Sequence, residues 1–164
     1  MVSLQRMLRH LVTPDWILRR VFDAATLQAI EQAISDTERG HGGEIRFAVE
    51  ASASPLHLMR GVTPRHQAIE AFARLGVWDT DANNGVLIYV SWADRDVEIV
   101  ADRGFNGRVT VQEWSEVCRR MEQSFARGSP RQAIVEGIQA VGVLIARHFP
   151  TSDRDELPNR PALL

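Results

Sequence analysis

The chain has 164 residues, of which 45% are hydrophobic and 24% are charged, as expected of one globular domain that buries its own core. All 19 basic residues are Arg and 21 residues are acidic, and the resulting formal charge of -2 argues against a nucleic-acid-binding protein. The absence of Lys excludes a lysine Schiff base and a P-loop lysine. The single cysteine, Cys118, excludes an intrachain disulfide and a zinc site built on several thiolates.

Residues 1–22 form a basic amphipathic segment. Leu4, Leu8 and Leu11 recur at helical spacing, and four Arg residues surround them. We expect a terminal helix that packs on the domain through these leucines, and the alternative is a peripheral contact with an anionic membrane surface. The sequence predicts neither a signal peptide nor a membrane-spanning stretch, so the expected location is the cytoplasm.

Residues 23–149 have the pattern of a single α/β domain. Asp23 is placed to cap a helix that carries an apolar stripe. In residues 44–50, apolar and charged side chains alternate, which predicts a strand with one buried face. On that interpretation Glu44 and Arg46 belong to an exposed charged face.

A hairpin and two helices complete this domain. Val86–Val90 is an unbroken apolar run, typical of a central strand that is buried on both faces. Residues 94–96 make a polar turn into Val97–Ala101, so these two strands should pair antiparallel. A capping-box pattern at Thr110 then starts the first of two long helices. The prediction is a three-layer α/β/α sandwich with a mixed sheet, and a Pro-rich tail, residues 150–164, that lies over the surface or is mobile.

Polar side chains collect where the predicted hairpin begins and ends. Antiparallel pairing places the start of its first strand beside the end of its second strand. The side chains expected at this edge are those of Asp79, Asp81, Asn83, Asn84, Asp102 and Arg103. Oxygen-rich loops of this kind suit Ca²⁺ or Mg²⁺, and the alternative is a set of Asx turns without a metal. No Gly-rich phosphate loop, nucleophile elbow or zincin motif occurs, so we expect no organic cofactor and can name no catalytic residue.

Three runs of sequence resemble the TPM domain family, which includes a thylakoid-lumen protein linked to photosystem II repair and many bacterial members. The runs are Ala71-Phe-Ala-Arg-Leu-Gly-Val-Trp, Asn83-Asn-Gly-Val-Leu-Ile-Tyr-Val and Arg95-Asp-Val-Glu-Ile-Val-Ala-Asp-Arg-Gly104. The resemblance covers roughly Gly43 to Phe149. The tail and the Arg-rich start look like a short bacterial subgroup that lacks a signal peptide and a membrane anchor.

The resemblance implies an α/β/α sandwich, a divalent-cation site at the sheet edge and a weak acid-phosphatase activity. The metal ligands that it implies are Asp79, Asp81, Asn83, Asn84 and Asp102, with Arg103 available to bind phosphate. The sequence therefore supports three functional hypotheses. The first is a cation-binding accessory module that contacts an unknown protein partner, the second is a metal-assisted phosphatase that hydrolyses phosphomonoesters, and the third is a membrane-surface adaptor that uses the N-terminal helix.

Overall fold

The computed structural model describes residues 4–151 and 155–164, so residues 1–3 of the basic segment and 152–154 of the tail lie outside the described residues. Its elements in chain order are α1 (Leu4–Leu11), α2 (Trp16–Val21), α3 (Ala24–Glu38), β1 (Glu44–Glu50), α4 (Pro55–Met59), α5 (Pro64–Arg74), β2 (Gly85–Ser91), β3 (Asp96–Ala101), a 3₁₀ turn (Arg103–Phe105), α6 (Val111–Ala126), α7 (Pro130–Ala146) and β4 (Ala162–Leu163).

The four strands form one mixed sheet in the order β3-β2-β1-β4. Strand β1 runs parallel to β2, with Glu44 opposite Gly85, and also parallel to β4. Strands β2 and β3 form the predicted antiparallel hairpin, in which Val86 lies opposite Ala101. The predicted α/β architecture is confirmed.

Helices cover both faces of the sheet because its inner strands bury apolar side chains on both sides. The larger core packs α3, α6 and α7 against one face, through residues such as Ile34, Met121 and Ile138. The smaller core packs α5 against the other face, where Ala71 meets Leu87 and its neighbours. All of β2 is buried, as the apolar run predicts.

Two predicted helix starts have the expected caps. The Asp23 carboxylate accepts a hydrogen bond of 2.8 Å from the Thr26 amide at the start of α3. At the start of α6, Thr110 and Glu113 form a complete capping box, in which each side chain bonds the other's backbone N–H. These local interactions depend only on residues three positions apart, which explains why the sequence predicts them.

The prediction of one exposed face on β1 is wrong. Glu44 is only 4% exposed and Arg46 is 9% exposed, because the chain after residue 155 returns across this face. The Arg46 guanidinium donates hydrogen bonds to the carbonyl oxygens of Pro158 and Arg160. Strand β4 then pairs with β1, with Ala48 opposite Ala162. The described part of the tail is therefore a structural element of the domain.

The way α1 packs also differs from the prediction. Its leucines are exposed, and its polar face packs on the domain around the Asp94 carboxylate. Arg6 donates two hydrogen bonds to Asp94, at 2.8 and 2.9 Å. His10 is buried, with Nε2 3.0 Å from Asp94 Oδ1 and Nδ1 accepting a hydrogen bond from the Ala53 amide. We call this contact the Asp94 junction.

Candidate functional site

Three strand ends meet at one edge of the sheet. Because β1 and β2 are parallel and β3 is antiparallel to β2, the first residues of β1 and β2 lie beside the last residues of β3. The Asp102 amide donates a hydrogen bond of 2.9 Å to the Gly85 carbonyl, and the Glu44 amide donates one of 3.2 Å to the Asn84 carbonyl. These backbone bonds fix the positions of the predicted site residues.

Three of the predicted site residues contact one another at this edge, and Asn84 lies next to them in the chain. Asn83 Oδ1 accepts a hydrogen bond of 2.7 Å from Arg103 Nε, and Asp102 Oδ1 accepts one of 2.7 Å from the Arg103 amide, which caps the 3₁₀ turn. Asn84 is 1% exposed, and its Nδ2 donates a hydrogen bond to the Gly42 carbonyl. Arg103 itself is exposed. The hairpin therefore brings Asn83, Asp102 and Arg103 into contact, whereas the Asn84 side chain bonds to the loop before β1.

Two oxygen atoms in this group have no hydrogen-bond partner although they are buried. They are Asn84 Oδ1 and Asp102 Oδ2. A buried polar atom without a partner costs about 1–3 kcal/mol, and a missing water or ion is one common explanation for such an atom. Carboxylate and amide oxygens are also the ligand types that Ca²⁺ and Mg²⁺ prefer.

The other two predicted ligands, Asp79 and Asp81, are exposed on the loop before β2. The Asp81 amide donates a hydrogen bond of 3.1 Å to the Glu156 carboxylate, so the C-terminal tail reaches this loop. Thr80 lies between Asp79 and Asp81 in the chain. Its buried hydroxyl accepts a hydrogen bond of 3.1 Å from the Asn84 amide. Asp79 and Asp81 thus lie on the exposed loop that leads into Asn83 and Asn84.

The glycines that follow the Asn pair and the Asp-Arg pair have a steric role. A Cβ atom at Gly85 would collide with the Val77 carbonyl, and one at Gly104 would collide with the Asn83 carbonyl. The chain therefore approaches itself too closely for a side chain at either position. Gly85 and Gly104 both lie within the runs that resemble the TPM domain, and the geometry demands glycine at both positions.

A second acidic group at the same edge was missed by the sequence reasoning. Carboxylate oxygens of Glu38, Glu44 and Asp155 lie within 4.8 Å of one another, the closest such grouping of three among the described residues. Glu38 accepts a bond of 2.8 Å from the Ile45 amide, and Glu44 accepts one of 3.1 Å from the Leu157 amide. We call these three residues the acidic triad.

Burial is the largest influence on the pKa values of Glu38 and Glu44 in the acidic triad. Burial raises the pKa of Glu38 to about 8; the Ile45 amide opposes this shift, whereas Glu44 and Asp155 add to it. Burial also raises the pKa of Glu44, against the effect of amide hydrogen bonds from the tail. The position of Glu44 depends on the parallel pairing of β1 with β2, for which the sequence has no local signal. The return of Asp155 has no local sequence signal.

The fold and this edge define a class of protein. The TPM domain family matches residues 18–144, and the chain belongs to that family. No curated protein matches the chain. Within residues 4–151 and 155–164, no helix is long and apolar enough to cross a membrane. The predicted cytoplasmic location stays a prediction.

Three solved structures are similar to the chain. The BA42 protein of the psychrophilic bacterium Bizionia argentinensis is 32% identical, with a TM-score of 0.75 over 86% of this chain and 94% of that protein. The N-terminal domain of a P. gingivalis protein is 17% identical, with a TM-score of 0.60 over 82% of each chain. The N-terminal domain of the cg2496 protein of Corynebacterium glutamicum is 15% identical, with a TM-score of 0.54 over 87% of this chain and 79% of that one. The last two likenesses concern the fold alone.

Proposed function

We propose that this protein is a divalent-cation-binding accessory module that acts through contact with a partner protein, and that the ion binds at the edge formed by Asn83, Asn84 and Asp102. The observation that carries the proposal is the pair of buried oxygens without partners, Asn84 Oδ1 and Asp102 Oδ2. Both are hard ligands, and both lie where the sequence predicted a site for Ca²⁺ or Mg²⁺.

Each predicted ligand would take a different part in binding. Asn84 and Asp102 offer oxygens that a cation would satisfy without breaking an existing hydrogen bond. Asn83 Oδ1 already accepts from Arg103, so an ion at Asn83 has to displace that guanidinium. Asp79 and Asp81 are exposed, and they would attract the ion and complete its shell from the solvent side.

The test is a titration of the full chain with Ca²⁺ and Mg²⁺, followed by amide chemical shifts. We expect shifts centred on Asn83, Asn84 and Asp102. Asp102→Asn should weaken the binding about tenfold, because it removes one unit of ligand charge but keeps the oxygen that caps the 3₁₀ turn.

The matched control is Glu38→Gln in the acidic triad, which should leave the affinity unchanged. Shifts centred on Glu38 and Glu44, or an affinity that falls in Glu38→Gln and not in Asp102→Asn, would place the ion elsewhere. An absence of shifts at millimolar ion concentration would end the cation proposal altogether.

The alternative function is metal-assisted hydrolysis of phosphomonoesters. The exposed Arg103 guanidinium donates a hydrogen bond to Asn83, one of the proposed ligands, and there it would meet a phosphate held by the same ion. Hydrolysis of p-nitrophenyl phosphate by wild type that is lost in both Asp102→Asn and Arg103→Gln would favour the phosphatase. Activity that is unchanged in both variants would exclude this edge as its source.

A further inference from the structure

Helix α1 presents its apolar side to solvent. Leu4, Met7, Leu8 and Leu11 share one face of the helix, since their spacing of three and four residues is that of a helical stripe. Leu4 is 73% exposed and Leu11 is 80% exposed. A helix of a soluble domain normally buries this stripe, so the orientation of α1 requires an explanation. We call these four residues the α1 apolar face.

The Asp94 junction holds α1 in this orientation. Arg6 and His10 lie on the side of the helix opposite the α1 apolar face, and both contact the same buried carboxylate. Arg6 Nη1 also donates a hydrogen bond of 2.9 Å to the Val62 carbonyl. Turning the leucines inward would break these contacts and strand a buried carboxylate, which costs several kcal/mol. The exposed stripe is therefore a fixed feature of the surface.

Neighbouring elements extend the apolar surface. The segment that contains α4 is joined to α1 at both ends, since Arg6 donates a hydrogen bond to the Val62 carbonyl and His10 accepts one from the Ala53 amide. Leu56 and Met59 on α4 are exposed, Met59 by 76%. At the start of α2, Trp16 is also largely exposed. Trp side chains are enriched where an apolar surface meets the lipid headgroups.

Positive charge surrounds this apolar surface, although the chain as a whole carries a formal charge of -2. Arg19, Arg20 and Arg60 are exposed, and the Arg9 side chain is half-exposed. Residues 4–21 contribute three of these cations, Arg9, Arg19 and Arg20, and Asp15 is the one exposed acidic residue in the same range. The region around α1 is thus cationic, whereas the edge that carries the proposed cation site is acidic.

We propose that the α1 apolar face, with its Arg surround, docks on an anionic membrane surface. An interfacial helix buries its apolar stripe at the headgroup boundary, and Arg side chains near an anionic leaflet strengthen the binding. A second copy of the chain is a poorer occupant, because a symmetric interface would bring the two sets of Arg side chains together. Helix α1 precedes residues 18–144, which the TPM domain matches, so the α1 apolar face lies outside the matched part and is separate from the proposed cation site.

The test is co-sedimentation of the full chain with phosphatidylglycerol-rich vesicles and with pure phosphatidylcholine vesicles. We expect binding to the first and little to the second, and a decrease in binding as salt rises. Leu8→Glu with Leu11→Glu should lower the binding about tenfold, because both charges enter the α1 apolar face. Arg19→Gln with Arg20→Gln should lower it severalfold on the anionic vesicles alone.

The matched control is Val111→Glu with Val143→Glu, which places the same charges on two exposed apolar residues of α6 and α7. Thermal unfolding checks that all variants fold. Equal binding by the Leu8/Leu11 variant and wild type would overturn the proposal, as would the absence of binding to either vesicle. A dimer in solution that the Leu8/Leu11 variant abolishes, without vesicle binding, would identify the face as an interface between copies.

Discussion

Carboxylates attach both terminal segments to the domain. In the N-terminal attachment a carboxylate lies beside cationic side chains, whereas in the C-terminal attachment carboxylates lie beside one another. At the Asp94 junction, one carboxylate meets Arg6 and His10. At the acidic triad, two buried carboxylates receive amide hydrogen bonds from β1 and the tail, and a third carboxylate lies against them. Comparison of the two regions shows that neighbouring charge, more than burial, decides whether a buried carboxylate stays ionised.

The pKa values express this difference. Burial alone would raise the pKa of Asp94, but the hydrogen bonds and charges of Arg6 and His10 outweigh it and lower the pKa to about 2. The stability that Asp94 contributes is therefore present above its ordinary value of 3.8 and is lost as pH falls towards 2. The pKa of Glu38 is raised from 4.5 to about 8. The free energy of unfolding therefore falls as pH rises from about 4.5 to about 8, because the folded state disfavours the ionised Glu38. Acid weakens the N-terminal attachment and base weakens the C-terminal one.

The largest expected effect is that of Asp94→Asn. The substitution keeps the shape of the side chain but removes the negative charge to which Arg6 donates two hydrogen bonds. We expect the free energy of unfolding at neutral pH to fall by about 3 kcal/mol, measured by urea denaturation, with faster hydrogen exchange in α1. Asp36→Asn is the control, since Asp36 forms an exposed ion pair. Equal effects of the two substitutions would contradict the assignment of the Asp94 junction.

A smaller effect of opposite sign is expected for Glu38→Gln. Gln retains the oxygen that accepts from the Ile45 amide and removes the charge that burial and Glu44 disfavour. Relative to wild type, the variant should gain about 2 kcal/mol of unfolding free energy near pH 9 and almost nothing near pH 5. Glu31→Gln, on the exposed side of the same helix, should show no such pH dependence. A gain that is the same at both pH values would refute the raised pKa.

The smallest effect is expected for Arg9→Gln. Arg9 lies 3.9 Å from Asp94 Oδ1 and is far more exposed than Arg6. A partly solvated pair at this distance contributes little, so the loss of unfolding free energy should be about 0.5 kcal/mol or less in the same urea experiment. A loss as large as that of Asp94→Asn would show that the junction depends on the number of cations and not on the buried contacts of Arg6 and His10.

Much of the fold is predictable because its signals are local. The Asp23 cap and the Thr110 capping box join residues a few positions apart, and the hairpin follows from two apolar runs with a short polar turn. The same hairpin brings Asn83 and Asn84 beside Asp102 and Arg103. The alternation of apolar and charged residues in β1 did not predict the position of β1 in the sheet. That position depends on a parallel pairing with β2, which is distant in the chain.

The sequence by itself determined the helices, the hairpin and the composition of one polar edge, because each depends on neighbours along the chain. Only the tertiary structure decided how the two ends of the chain pack. The tail returns beside β1 and buries Glu44, which turns a predicted surface residue into part of the acidic triad. Asp94, 88 residues from Arg6, holds the polar face of α1 inward. Its ion pair with Arg6 outweighs the preference of the leucines for the core, and no pattern within the helix encodes that distant carboxylate.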